Sequence, residues 1–174
     1  GGRIEVHGAA SDWVGAEMKG GFIRVHGDVG GQAGAAYRGS LAGMKGGTII
    51  VGGSAGLEVG MRMRRGTIIL GGPAKDFTGL QMKGGTIVLA ASLTEGLGSP
   101  EFQARLKDYE ENDKYAKPAT GDTCDMDEWQ LVMLNKVLAH CRVKVVSGGL
   151  PADVLRRCRV EPAESVESAV AESL

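Results

Sequence analysis

One motif, Met-basic-Gly-Gly-x-Ile-x-Val, occurs four times before residue 90, at 18–25, 44–51, 63–70 and 82–89. The third copy carries Arg65 in place of its first Gly, and the last two end in Leu. Met44, Met63 and Met82 stand 19 residues apart, while Met18 and Met44 stand 26 apart, the same period with seven residues inserted. A fixed period of this length is the signature of a stacked repeat, so the fold has to be read from it first.

Within each copy apolar residues alternate: Ile4 and Val6, Ile23 and Val25, Ile49 and Val51, Ile68 and Leu70, Ile87 and Leu89. Period two places these side chains on one face of a short strand. Stacking the copies then builds two inward ladders and one outward column, Glu5, Arg24, Ile50, Ile69 and Val88. The aliphatic end of that column predicts a covered surface, either by the chain's own tail or by a partner subunit. A second strand is expected in each repeat, over 14–18, 33–35, 59–63 and 78–82, with glycine at 15, 34, 60 and 79 for the corner. The fold class expected is therefore a β-solenoid, a right-handed parallel β-helix of about 19-residue coils. Two glycines per repeat within the apolar run exclude helices, at about 1 kcal/mol each. The chain starts inside a repeat, which reads as a fragment or a processed piece.

Composition divides the chain. Residues 1–98 hold 26 of the 29 glycines and no cysteine, with 10 Lys+Arg against 7 Asp+Glu, a net +3. The remainder holds 10 against 14, a net −4, and the two give the overall −1. Such a balance excludes a nucleic-acid-binding protein. Cys124, Cys141 and Cys158 form no CxxC pair, which speaks against a disulfide framework or a zinc site. No apolar run reaches the ~18 residues that span a bilayer, and a reducing, cytoplasmic setting fits best.

After the repeats the pattern changes. Ser99 followed by Pro100 predicts a helix start. Trp129, Val132, Met133 and Val137 predict a helix over 125–140, Arg142 to Val146 a strand, 151–158 a short helix, and Ser165 the cap of a last one. The expected organisation is a β-helix domain at 1–91, a linker with a short helix at 92–124 and a small α/β segment at 125–174.

Candidate functional residues fall in columns. Lys19, Lys45, Arg64 and Lys83 share one repeat position, with Arg62 and Arg65 nearby. Such a stack is either a solvated rim or a docking strip for an acidic partner or a carboxylate-rich ligand. His7 and His26 share another position and could form half of a metal site, or be turn residues. A metal site needs three or four convergent ligands, and no third one joins them in the sequence. The glycine clusters match neither phosphate-binding pattern, and no nucleophile–base set with interpretable spacing is visible, so no catalytic residue is assigned. The insertion at 37–43 is the place where a repeat throws out a loop that can carry specificity.

On the segments 14–21, 35–39 and 60–68, the first 90 residues resemble the GXGXG-repeat family. This comprises the repeat-bearing subunits of formylmethanofuran dehydrogenase and of the bacterial formyltransferase/hydrolase complex, and the C-terminal domain of glutamate synthase large chains. The resemblance implies a non-catalytic structural subunit in one-carbon metabolism. Its partners would be amidohydrolase-like and formyltransferase-like subunits. A formyl carrier of the methanofuran type would be used by the complex, with no cofactor held by this chain. On residues 129–139, 143–147 and 162–169 the C-terminal part resembles nickel-dependent lactate-racemase-like proteins, whose pincer-bearing Lys and catalytic His lie in regions this chain lacks. The alternatives are thus the remnant of a 2-hydroxy acid racemase-like enzyme fused to the repeats, or the repeat domain of a glutamate synthase-like protein.

Overall fold

The computed structural model describes residues 1–94, 96–112 and 126–173, with the backbone alone for 108–112 and 126–127. The motif copies and the segment before them form β1 (Arg3–Val6), β2 (Phe22–Val25), β3 (Lys45–Val51), β4 (Arg65–Leu70) and β5 (Thr86–Ala90). Helices α1 (Pro100–Asn112) and α2 (Met126–Leu138) follow, then β6 (Arg142–Val146), α3 (Ala152–Arg157), β7 (Glu161–Pro162) and α4 (Val166–Ala171). The strands make one sheet in chain order, β1 to β7, every neighbouring pair parallel. Register follows the repeat: Ile4, Ile23, Ile49, Ile68 and Ile87 pair in succession, and Val143 of β6 extends the row.

This architecture corrects the expected β-solenoid. A seven-stranded all-parallel sheet with four helices among the described residues is an α/β fold, not a two-stranded coil repeated as a right-handed parallel β-helix. The second strand fails for a local reason. At 13, 15 and 17, at 32 and 34, at 58, 60 and 62, and at 77, 79 and 81, every other residue has a positive φ, between 54° and 75°. Alternating left-handed residues cannot extend into a strand. They close tight turns instead, as when Ala16 N–H donates to Trp13 O and Met18 N–H to Gly15 O. Among the described residues isolated parallel bridges, Ala10 to Val29 to Ala55 to Ala74, link successive repeats just before these turns.

The turns nevertheless enclose a core. Val25, Ile49, Val51, Ile68, Leu70 and Ile87 point from one sheet face onto Val59, Met44, Met63 and Met82. Each fully buried side chain of this size contributes about 1.5–3 kcal/mol. Gly34 shows why the corner must be bare: its φ is +68°, and a Cβ there would stand 2.6 Å from Ile68 Cδ1. Ile4 in the outermost strand remains exposed.

The opposite face carries the outward column. Ile50, Ile69 and Val88 lie under Val166, Ala169 and Val170 of α4, so the chain's own tail covers them. Ser165 holds that helix with a reciprocal capping box through Ser168. Ser99 likewise accepts a hydrogen bond from Phe102 N–H, 3.0 Å, at the start of α1. α1 packs on α2 through Leu106, Leu131 and Val132, and α3 on β6 through Leu155 and Val145. Cys124, Asp125 and the rest of the expected linker beyond Asn112 lie outside the described residues.

Candidate functional site

Each cation of the repeat column follows a methionine that is buried or half-buried. Lys45 N–H donates to Met18 O at 2.7 Å, Arg64 N–H to Met44 O at 2.8 Å and Lys83 N–H to Met63 O at 2.9 Å. These bonds set the four positions one above another at about the inter-strand spacing of 4.8 Å. With the methionines turned inward, the next side chain turns out. Lys19, Lys45 and Lys83 are exposed.

Arg64 departs from the expected solvent-facing position. It is half-buried, donates from Nη2 to Leu41 O at 2.8 Å, and its Nε is buried with no partner among the described residues. Arg62 does similar work, donating from Nη1 to Ser40 O at 2.7 Å and from Nε to Gln81 Oε1 at 2.8 Å. Two arginines therefore clamp the insertion at 37–43 onto the edge of the sheet. On its other flank Tyr37 N–H reaches Glu17 Oε1 at 3.3 Å. A hydrogen bond from Ser40, then that from the Tyr37 backbone and the charges of Lys45 and Lys19, hold the Glu17 carboxyl below its usual range.

His7 and His26 stack with ring centroids 5.1 Å apart and planes 10° from parallel. His26 Nε2 lies 2.9 Å from Glu5 Oε1, and Arg3 pairs with the same carboxylate at 3.6 Å. The His26 hydrogen bond is the main reason the Glu5 carboxyl titrates below its usual range. Among the described residues no group of three or more His, Cys, Asp or Glu gathers around a point that could hold a metal.

Sequence reasoning missed the cleft that α2 makes by returning over the last repeat. A cavity of about 590 Å³ lies between the cationic edge and α2, lined by Leu41, Arg62, Gln81 and Lys83 on one side and Lys136 and His140 on the other. A second, of about 660 Å³, lies between the sheet and the same helix, with Phe77, Leu89, Trp129, Leu134 and Val143 in its walls. Leu80, Met133 and Val137 border both. The one local signal was Gly79, where a Cβ would stand 3.2 Å from Val137 Cγ1. Absence of a side chain there lets the helix approach.

Also missed was Lys144, which continues the outward column from Val88 on β6 and is fully buried. Its Nζ lies 2.5 Å from Glu172 Oε2 and 3.8 Å from Glu161 Oε2. Arg142 makes a two-armed pair with Glu161 at 3.0 and 2.8 Å, and this pairing is the main cause of a Glu161 carboxyl that titrates below its usual range. The group ties β6, β7 and the end of α4. Cys141 is buried nearby, and burial pushes its thiol up to about 11, which leaves it unreactive at neutral pH.

Comparison with known proteins gives two findings. A solved structure, the X-ray crystal structure of the formyltransferase/hydrolase complex (FhcABCD) from Methylorubrum extorquens in complex with methylofuran, is similar at 28% identity. The likeness covers 62% of this chain and 51% of that one, with a TM-score of 0.48, so this chain matches about half the length of that relative. No curated protein matches. The family model of the lactate racemase C-terminal domain matches residues 77–174, more than half of the chain. The chain belongs to that family.

Proposed function

We propose that this member of the lactate racemase C-terminal domain family acts as a structural, docking subunit of a complex that transfers formyl groups, its cationic edge receiving a carboxylate-rich partner. The observation that carries the reading is the row itself. Three exposed lysines, at 19, 45 and 83, stand on a backbone fixed by hydrogen bonds from one repeat to the next. Like charges held at such spacing repel one another, and an extended acidic segment lying along them relieves the repulsion. The formyl assignment rests on the repeat motif's resemblance to the repeat-bearing subunits of formylmethanofuran dehydrogenase and of the bacterial complex. Amidohydrolase-like and formyltransferase-like subunits are then the partners, and a methanofuran-type carrier with a glutamate-rich tail is the complex's formyl carrier. A cytoplasmic setting goes with this reading, and no helix among the described residues is long and apolar enough to cross a membrane.

The test is co-expression of the full chain with amidohydrolase-like and formyltransferase-like subunits, followed by capture on a tag carried by this chain. The expected result is capture of both, lost on the Lys19→Glu, Lys45→Glu double change while the melting temperature stays put. Undiminished capture by the folded variant, or none by the parent, overturns the reading.

A second reading draws on the family match at 77–174: this chain as the end segment of a 2-hydroxy acid racemase. Nickel-dependent racemisation of lactate, restored to a racemase catalytic part only when this chain is added, would favour it over the first.

A further inference from the structure

We propose that the cleft between the last repeat and α2 binds a small aromatic carboxylate, its ring against Phe77 and Trp129 and its carboxylate at Lys83 and Lys136. The proposal does not rest on the formyl reading. Leu80, Met133 and Val137 line both cavities, so the two adjoin along α2 and present chemically different ends. At the apolar end Phe77 and Trp129 sit edge to face, centroids 6.2 Å apart and planes at 84°, and are 44% and 46% exposed. Aromatic rings held this way offer an open face and edge to a third ring.

The other end is cationic. Lys83, Lys136, His140 and Arg62 line it, and among the described residues no Asp or Glu does. Asp76 lines the far, aromatic end, so a carboxylate is repelled there and drawn to the lysines, which fixes the direction in which the ligand lies. Each volume falls within the ~300–1,000 Å³ of small-molecule sites. Leu41, 77% exposed at the tip of the insertion, stands at the cationic mouth, where the Arg64 and Arg62 bonds to the loop backbone hold it. The insertion thereby acquires a role, as the wall that sets how long a ligand can be.

The experiment uses the full chain with Trp13→Phe, which leaves Trp129 as its single tryptophan, and follows its emission on titration with 3-phenylpropionate, 3-phenylpropan-1-ol or acetate. Saturable change with 3-phenylpropionate is expected, and about fivefold or more weaker binding of the uncharged alcohol. Acetate, which lacks the ring, should leave the emission unchanged. Lys83→Gln with Lys136→Gln should bring the acid down to the alcohol's level. Trp129→Phe, followed by amide chemical shifts, should keep binding, whereas Trp129→Ala should weaken it about tenfold. Equal affinity for acid and alcohol overturns the proposal, as does unaltered binding by the folded double lysine variant. A Trp129 emission that changes with protein concentration alone assigns the cleft to a second copy of the chain and overturns it as well.

Discussion

Ile68 has its counterparts Ile49 and Ile87 directly on either side and is fully buried. Replacing it with Ala should cost about 2–5 kcal/mol, and with Asp more, since an unpaired carboxylate would enter the core. Urea unfolding measures both; an Ile68→Asp protein as stable as its parent would refute the register. That register was legible in the sequence, because period two leaves only one face for the isoleucines. Lys144 was not. No repeat marks β6, so the sequence did not place Lys144 beside Val88, where it is buried and paired with Glu172 at the end of α4. Lys144→Met, of similar volume, should therefore lie within about 1 kcal/mol of the parent, because the gain of the ion pair and its desolvation nearly cancel. Lys144→Ala leaves a cavity and should cost about 2 kcal/mol or more. If the two variants were equally destabilised, the charge rather than the volume would be what the site requires.

At the scale of elements, the first strand of each repeat and the helix starts were readable; the expected second strand was not there, and the turns that replace it were not readable. Glycine at 15, 34, 60 and 79 marked the corners, but nothing in Trp13, Glu17, Gln32 or Gln81 announces a left-handed backbone. Tertiary packing imposes it. Nor could the place of α4 be read, since it depends on β6 pairing with β5 across some fifty residues of chain. Its cap was legible, and Ser165→Ala should cost about 1 kcal/mol in thermal melts. The seam between β6, β7 and α4 should also weaken in acid. The Arg142 hydrogen bond holds the Glu161 carboxyl below its usual range in the folded chain, so this pairing contributes fully above the ordinary carboxyl range. The contribution is lost as pH falls through the depressed folded value. Between about pH 6 and pH 3 the parent should lose more melting temperature than Arg142→Gln does; parallel losses would count against the pair.

For the whole molecule, the period correctly announced stacked parallel strands in register and misled on what they would build. A repeat sets the register of its own copies, while β6 and β7, which carry no copy of the motif, join the same sheet and bring helices to both its outer face and its edge. The candidate docking row was legible as a column of like charge; the engagement of Arg64 with the inserted loop was not, because that contact joins residues 23 positions apart. The three exposed lysines of the column, at 19, 45 and 83, each contribute little, about 0.2–1 kcal/mol with an acidic partner, and together about tenfold in affinity. Their attraction is screened over about 10 Å at 0.1 M salt. The direct measurement is the binding of a hexaglutamate peptide to the full chain at low and high ionic strength, with and without Lys19→Glu and Lys45→Glu. A docking row requires weak binding that falls steeply with salt and drops by about tenfold in the folded double variant. No binding at low salt, or an affinity indifferent to both salt and charge reversal, would contradict it.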